Sequence, residues 1–323
     1  VIPEGATAEN NYTVNGVTYD SKTVNVKVTV TYNKETGELK AELAKDSEAI
    51  AFQNSYDTET SIGLEGTKSL SGRTLKDGEF TFEVKDKAGK VVATGSNKSD
   101  GSISFNNKLN YKLSDLEKAD GSYESEKTYE YTVNEVIPEG ATAENNYTVN
   151  GVTYDNSIFT VKVIVSYDQA TGIMSAAFAE DSQELIFDNT YDAKGSLTLE
   201  ASKTLKNKAL EADAFNFVLK DKNGETIQTV ANDADGNVTF SPLNYTLKDV
   251  GTHVYTVSEV QRENTEVTYD TTEYTVEVTV ADAGNGKLKV SKTIKKGDDT
   301  VDAIAFENIY KGVIDISGSK TWN

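Results

Sequence analysis

The sequence predicts an all-β protein made of tandem domains, and three observations support this. Strand-favouring aromatic residues are plentiful, with 17 Tyr and 11 Phe in 323 residues. Turn signals such as Asp100-Gly101 and Asn223-Gly224 separate short runs in which apolar and polar residues alternate. Long runs with helical periodicity are missing, and the length favours two or three domains.

Composition excludes several classes of function. The formal net charge of −20 would repel the backbone of nucleic acids and is unfavourable for binding anionic lipid. Cysteine is absent, so disulfides and thiolate chemistry are excluded. The sequence has no apolar run of membrane-spanning length and no signal peptide. Because the chain begins in the middle of a repeated pattern at Val1, we interpret these absences as truncation.

A long internal repeat predicts the domain organisation. The segment 1–20 recurs identically at 136–155, an offset of 135 residues (136 − 1). A period of this length indicates whole domains in tandem. We therefore predict four segments: the C-terminal part of a truncated repeat at 1–57, complete repeats at 58–192 and 193–311, and the first strand of a further module at 312–323.

Each predicted repeat closes with the pattern Phe-x-Asn-x-Tyr. The pattern occurs at 52–56, 187–191 and 306–310. Alternate residues of a strand share a face, so Phe, Asn and Tyr are expected to point the same way. A carboxamide buried among aromatic rings costs about 1–3 kcal/mol unless it finds a hydrogen-bonding partner. The partner of this Asn is therefore the main functional question.

Two further polar residues are predicted on the apolar faces of strands. Lys68 alternates with Ile62, Leu64 and Leu70 in the opening strand of the first complete repeat, and Lys203 takes the same place in the second. The later strands ending at Glu135 and Glu259 each place that Glu on the face of a Tyr and a Val. An isolated Lys or Glu near a strand end is usually solvated. The same three residue types recurring in the same order in two repeats indicate a site.

The three residue types have a definite chemistry if they meet in a core. Desolvation lowers the pKa of a lysine and raises that of a glutamate, which favours a neutral, nucleophilic amine. A protonated carboxyl could donate to the carboxamide oxygen and shuttle a proton. Attack on the carboxamide would then release ammonia and leave a Lys–Asn amide, in surroundings that exclude water.

These strands resemble the streptococcal pilin isopeptide-linkage domain, the FctA type found in Gram-positive pilins and surface adhesins. The residues that carry the resemblance are the Lys-Thr-Leu and Lys-Ser-Leu strands, the Tyr-Thr-Val-x-Glu strands and the closing strand. The resemblance implies Ig-like, Greek-key β-sandwich domains in an elongated array. It also implies a bond between Lys68 and Asn189 catalysed by Glu135, and a bond between Lys203 and Asn308 catalysed by Glu259.

The truncated modules contain unpaired motif positions. Asn54 matches the closing motif, but the Lys and Glu of its repeat would precede Val1, so no bond is expected there. The ending Gly-Ser-Lys-Thr-Trp resembles the first strand of Cna B-type modules, in which Lys320 would take the place of the bonding lysine.

Three classes of function remain open. The resemblance implies a structural stalk, on the cell wall or in a pilus, whose partners are the neighbouring repeats of its own chain. The alternative is an adhesive module that binds a host matrix protein or glycan through its loops. An enzyme is disfavoured because the Lys, Glu and Asn set is consumed in one turnover. His253 is the only histidine, and Asp233-x-Asp235-x-Asn237 lacks the Glu that would complete a calcium loop, so we expect no metal or cofactor.

Overall fold

The structure, a computed structural model, describes residues 1–312 and 317–322 and confirms the all-β prediction. Within these ranges the chain forms strands and four 3-10 turns, and no α-helix. The turns are Ala8–Asn10, Leu113–Leu116, Ala143–Asn145 and Leu247–Asp249. None of the described segments is a helix with the length and apolar character needed to cross a membrane.

Residues 1–57 form five short strands. They are β1 (Thr13–Val14), β2 (Val17–Thr18), β3 (Val28–Asn33), β4 (Glu38–Leu43) and β5 (Ser55–Tyr56). The sheet β1-β2-β5 and the hairpin β3-β4 contain all of them. Every residue of β3 and β4 is exposed.

Residues 58–192 contribute the next twelve strands. They are β6 (Glu59–Ile62), β7 (Thr67–Ser71), β8 (Thr81–Asp86), β9 (Val91–Asn97), β10 (Ile103–Phe105), β11 (Leu109–Lys112), β12 (Glu126–Glu135), β13 (Thr148–Val149), β14 (Val152–Thr153), β15 (Ile158–Asp168), β16 (Ile173–Phe178) and β17 (Ile186–Tyr191). They form a six-stranded sheet β10-β9-β8-β12-β15-β16, a four-stranded sheet β13-β14-β17-β7 and the pair β11-β6.

Residues 193–311 repeat this plan. The strands are β18 (Lys194–Leu197), β19 (Glu200–Lys206), β20 (Asn216–Asp221), β21 (Thr226–Ala231), β22 (Asn237–Thr239), β23 (Leu243–Thr246), β24 (Gly251–Glu259), β25 (Val267–Thr268), β26 (Glu273–Asp282), β27 (Leu288–Lys296), β28 (Asp299–Val301) and β29 (Ile304–Tyr310). The sheets are β21-β20-β24-β26-β27-β28, β22-β19-β29-β25 and β18-β23.

The two larger sheets of 193–311 enclose an aromatic and aliphatic core. Strand β24 buries Tyr255, Val257 and Glu259 on one face, as strict alternation requires. Phe217 from the six-stranded sheet meets Phe306 from the four-stranded sheet, with ring centroids 5.1 Å apart. This contact makes the segment a β-sandwich.

The first and last long strands of 193–311 run side by side. Strand β19 pairs in parallel with β29, with Lys203 opposite Phe306 and Leu205 opposite Asn308. Antiparallel pairing dominates the rest of the described sheets. The parallel pair brings the opening and closing ends of one segment together.

The described residues cluster into two compact units that alternate along the chain. One unit contains 1–67, 76–136 and 157–186, and the other contains 68–75, 137–156 and the described residues from 187 onward. The repeat boundaries taken from the sequence stay a prediction. In the predicted further module at 312–323, residues 317–322 form no strand, and 313–316 and 323 lie outside the described residues.

Candidate functional site

Lys203, Glu259 and Asn308 meet in one buried cluster. The Lys203 ammonium Nζ donates to Glu259 Oε2 at 2.7 Å, and the Asn308 amide Nδ2 donates to Glu259 Oε1 at 2.6 Å. The side chains of Lys203 and Glu259 have no solvent exposure. One carboxylate therefore holds the amine with one oxygen and the carboxamide with the other.

The strands position these side chains through their alternation and their order. Lys203 lies on β19 and Asn308 on the adjacent parallel strand β29, while Glu259 is the last residue of β24 in the opposite sheet. Glu259 stands opposite Phe217 in the antiparallel pairing with β20. The cluster thus joins the two sheets of the sandwich through polar groups.

Burial pushes both ionisable groups toward their neutral forms. Desolvation lowers the pKa of Lys203, against the opposing hydrogen bond and charge of Glu259. Desolvation likewise raises the pKa of Glu259, although Lys203 and Asn308 counteract it. The amine consequently has a larger neutral population here than it would have in water.

Aromatic rings surround the cluster and exclude water. The ring centroid of Phe215 lies 4.7 Å from Lys203 Nζ. Phe306, two residues before Asn308, packs edge-on against Tyr274 with centroids 5.3 Å apart. The hydroxyl of Tyr274, the polar part of this aromatic side chain, donates to the Ala305 carbonyl at 2.8 Å. An attacking amine would therefore meet the carboxamide in a nearly anhydrous setting.

The carboxamide of Asn308 is oriented differently from the sequence-based mechanism. We expected a protonated Glu to donate to the carboxamide oxygen, but the Asp270 backbone N–H donates to Oδ1 at 2.8 Å. A backbone N–H can only donate, so the atom that faces it is the oxygen. The nitrogen Nδ2 consequently faces the Glu259 carboxyl group.

The corresponding residues of 58–192 are buried as well. Lys68 is 2% exposed, Glu135 2% and Asn189 1%. Lys68 and Asn189 lie on β7 and β17, which are neighbours in one sheet. Glu135 ends β12 opposite Phe82, as Glu259 ends β24 opposite Phe217. Each of the three residues therefore occupies the same position, counted from the end of its strand, as its counterpart in 193–311.

Comparison with known families assigns the chain to one of them. The family model described as "FctA: Spy0128-like isopeptide containing domain" matches residues 5–57, 64–192 and 199–311, well over half of the chain. The chain belongs to this family. The three matched segments follow the three predicted repeats, and the assignment rests on these family-model matches.

Solved structures similar to this FctA-family chain include pilus proteins. The major pilin from Streptococcus pyogenes is 19% identical, with 76% of this chain and 98% of that chain covered and a TM-score of 0.28. The C-terminal fragment of the pilus adhesin SpaC from Lactobacillus rhamnosus GG is 14% identical, with 79% and 100% covered and a TM-score of 0.30. The search of curated proteins finds no match.

The motif positions of the flanking segments lie outside any buried cluster. Asn54 is exposed, unlike the Asn of the other two closing strands, and only Ser55–Tyr56 of its motif is in a strand. Lys320 is exposed, and its Nζ lies 3.9 Å from the centroid of the Trp322 ring. The Asp233 carboxylate accepts from the backbone of Asp235 and Asn237 and so closes a turn.

Sequence reasoning missed the aspartates that contact the closing-strand asparagines. The tetrapeptide Val-Thr-Tyr-Asp occurs three times, at 17–20, 152–155 and 267–270. Its Asp contacts the motif Asn in every repeat. The third copy could have revealed these aspartates, because the sequence around it differs from the first two copies while the tetrapeptide itself is unchanged.

Two other buried asparagines were also missed, and both stabilise loops. Asn97 and Asn232 are each 1% exposed. Their Oδ1 atoms accept from the backbone N–H of Phe80 and Phe215, and their Nδ2 atoms donate to loop carbonyls. Their hydrogen bonds are satisfied by backbone groups alone, which distinguishes them from Asn308.

Proposed function

We propose that this FctA-family chain is a stalk segment of a Gram-positive pilin or surface adhesin, stiffened by two internal Lys–Asn amides. The observation that carries the proposal is the contact of Glu259 with both Lys203 and Asn308 inside a desolvated core. Pilin-family proteins are structural components of the cell surface. On this proposal the chain is extracellular, attached to the wall or in a pilus, and its repeats at 58–192 and 193–311 each contain one bond.

The geometry supports a proton relay through Glu259. The carboxylate accepts the proton of the Lys203 ammonium at Oε2, which frees the amine lone pair. The amine attacks Cγ of Asn308, the protonated carboxyl rotates to turn its proton toward Nδ2, and the Cγ–Nδ2 bond breaks as Glu259 delivers that proton to the departing nitrogen. The attacking nitrogen then gives its second proton to the Glu259 carboxylate. One C–N bond forms and one breaks, ammonia leaves, and Glu259 ends protonated, so atoms and charge balance.

The same reaction is proposed for the other repeat by equivalence of position. Lys68 would attack Asn189, with Glu135 as the proton relay. Each set of residues reacts once, so the chain is a self-modifying structural protein and has no turnover. The wide sequence separation of each pair means that the amide closes a long loop.

Intact mass tests the proposal directly. We expect the folded chain to weigh less than its sequence mass by two ammonia molecules, and Glu259→Gln or Glu135→Gln to restore one each. Glutamine keeps the shape of the side chain but cannot relay the proton. The control is Glu277→Gln, which alters a partly exposed ion pair with Lys295.

Peptide mapping would then locate each bond. The expected cross-linked peptides join 203 to 308 and 68 to 189. An unmodified mass for a folded wild-type chain would refute the proposed chemistry. A bond that still forms in Glu259→Gln would show that another group relays the proton.

A further inference from the structure

A backbone N–H donor faces the carboxamide oxygen of the closing-strand Asn in all three repeats. Asp270 N donates to Asn308 Oδ1 at 2.8 Å, and Asp155 N donates to Asn189 Oδ1 at 2.7 Å. In the truncated repeat, Asp20 N donates to Asn54 Oδ1 at 3.0 Å. Each donor belongs to the Asp that ends a Val-Thr-Tyr-Asp tetrapeptide.

The side chain of the same Asp locks this donor in place. Asp270 Oδ2 accepts from the backbone N–H of Glu307, the residue before Asn308, at 3.0 Å. Asp155 and Asp20 accept in the same way from Asp188 at 3.0 Å and Gln53 at 3.1 Å. The Asp and the two residues of the closing strand therefore form a reciprocal pair of hydrogen bonds, which we call the aspartate clamp.

A second hydrogen bond fixes the clamp from its other side. Asp270 Oδ1 accepts from the Thr272 backbone N–H at 2.9 Å. Burial acts to raise the pKa of Asp270, but the hydrogen bonds from Thr272 and Glu307 outweigh it, and the pKa is lowered. The clamp therefore contains an ionised carboxylate, which is a strong acceptor.

We infer that the aspartate clamp is an oxyanion-binding device, in which the Asp backbone N–H stabilises the charge that develops on the Asn carboxamide oxygen. This inference rests on the proposed amide-forming function. When the Lys203 amine attacks Cγ, electron density moves onto Oδ1. Both oxygens of Glu259 already contact Nζ and Nδ2, so the stabilising donor must come from another group. The Asp270 N–H is in place for that role.

Residues 1–57 show that the clamp forms without a buried site. Asn54 is exposed, yet it has the same two hydrogen bonds with Asp20. The clamp is thus a property of the local strand pairing and does not depend on a neighbouring Lys and Glu. A donor that is oriented before the reaction is the kind that lowers a barrier, because no reorganisation is needed when charge develops.

The experiment measures the rate of ammonia loss at a single site. In a Lys68→Ala background, only Asn308 can react, so each mass loss reports that site. The unreacted chain is purified in denaturant, diluted into folding buffer, quenched at intervals and weighed. Removal of one oxyanion donor typically slows a reaction by about 10²–10³-fold. Asp270→Ala leaves the N–H but removes its clamp, and we expect a slowing of at least about tenfold.

Three further variants separate the clamp from charge and from stability. Asp270→Asn keeps an acceptor oxygen and removes the charge, so we expect a rate closer to that of Lys68→Ala alone. Asp233→Ala is the control, since Asp233 closes an exposed turn of the same repeat. Asp270→Ser replaces Asp270→Ala if the latter does not fold. Because its hydroxyl is too short to reach Glu307 N, we expect comparable slowing.

The free energy of unfolding is measured in variants that cannot form the Lys203–Asn308 amide. The comparison of Glu259→Ala with Glu259→Ala/Asp270→Ala gives the purely structural effect of the clamp. A folded Asp270→Ala or Asp270→Ser variant that loses ammonia at the rate of its parent would overturn the inference, whatever its stability. If Lys68→Ala itself loses no ammonia, the proposed function has failed, and the clamp with it. Asp155→Ala in a Lys203→Ala background repeats the test at Asn189.

Discussion

At the scale of single residues, the site depends on one carboxylate shared between an amine and an amide. Glu259 contacts Lys203 and Asn308 with different oxygens, and in the proposed mechanism this carboxyl group passes a proton from the amine to the departing nitrogen. The Asp270 N–H fixes which atom of the carboxamide faces the carboxylate. The chemistry therefore depends on orientation as much as on proximity.

The raised pKa of Glu259 predicts a pH-dependent stability in a chain that cannot form the bond. In Lys203→Ala, the buried carboxyl loses its partner and prefers its protonated form more strongly. Its folded pKa exceeds the ordinary value of 4.5, so the folded state binds more protons above that pH. The contribution of Glu259 to stability should be greatest near pH 4 and should fall as the pH rises through the folded pKa, by at most about 1.4 kcal/mol per pH unit.

Denaturant unfolding from pH 4 to pH 8 measures this effect. The matched control is Lys203→Ala/Glu259→Gln, in which this titrating group is gone, so the difference between the two pH profiles isolates the contribution of Glu259. Equal pH profiles for the two variants would show that Glu259 is not protonated on folding.

The residues of the proposed relay could be predicted from sequence, whereas the role of the clamp aspartates could not, although their tetrapeptide recurs. Alternation placed Lys203, Glu259 and Asn308 on apolar faces, and two repeats made the pattern visible. The role of Asp270 was not predicted because its contribution to the site is a backbone N–H donor, which every residue except proline has. The orientation of the carboxamide also depends on that donor, so the sequence-based mechanism directed the wrong atom of Asn308 toward Glu259.

At the scale of elements, two strands with the same sequence pattern differ in how far they are buried. Strands β3 and β15 occupy the same place in consecutive repeats, since Val30 and Val165 differ by the offset of 135 (165 − 30). Val30 is 62% exposed, whereas Val165 is fully buried. The two strands share one alternating sequence pattern, and alternation indicates a preferred face but not what covers that face.

Hydrogen exchange should separate these two strands. We expect the amides of β3 and β4 to exchange far faster than those of β15, because an isolated two-stranded hairpin is marginal in water. The comparison is internal, since β3 and β15 belong to one chain and one sample. Equal protection would show that residues 28–43 gain stability from a partner, such as a second copy of the chain.

At the scale of the whole chain, the closing-strand tyrosines connect successive predicted repeats. The Tyr191 hydroxyl donates to Asp282 Oδ1 at 2.7 Å and accepts from Gly286 N at 3.3 Å. The Tyr56 hydroxyl instead donates to the carbonyl of Gly172, in the turn that corresponds to the turn of Gly286. The partner atoms differ, but in both places a closing-strand tyrosine contacts the equivalent turn of the next predicted repeat, and we call this contact the tyrosine joint.

Removal of the Tyr191 hydroxyl should weaken the contact of Tyr191 with Asp282 and Gly286. In Tyr191→Phe, Asp282 loses the donor of a partly buried hydrogen bond, which we expect to lower the free energy of unfolding by about 0.5–1.5 kcal/mol. The measurement is denaturant unfolding in a Glu135→Gln/Glu259→Gln background, where amides cannot mask the effect. Tyr310→Phe, at the same position of the last closing strand, is the control and should change stability less. An equal loss in both variants would mean that the ring environment, and not the joint, is responsible.

The response to force is the property that the cross-links should change most. Tension along the chain enters 193–311 near β19 and leaves near β29, and these strands are parallel neighbours. Pulling on opposite ends of a parallel pair loads its hydrogen bonds in shear, and an amide between Lys203 and Asn308 would carry the load covalently. By analogy with disulfides, closing a loop of 105 residues (308 − 203) also stabilises the folded state by about 5 kcal/mol.

Single-molecule pulling should therefore show no unfolding event that releases the residues between 203 and 308 in the wild type. Lys203→Ala should add one event of about 105 residues (308 − 203), at up to about 3.5 Å per residue. The control is Lys206→Ala, on the same strand, which removes a partly exposed ion pair with Glu307 and should leave the trace unchanged. A wild-type trace with full-length events for both complete repeats would refute the stalk mechanism. Such events would mean that tension passes through the strands between β19 and β29. An amide that bridges β19 and β29 would carry the tension itself and leave those strands unloaded.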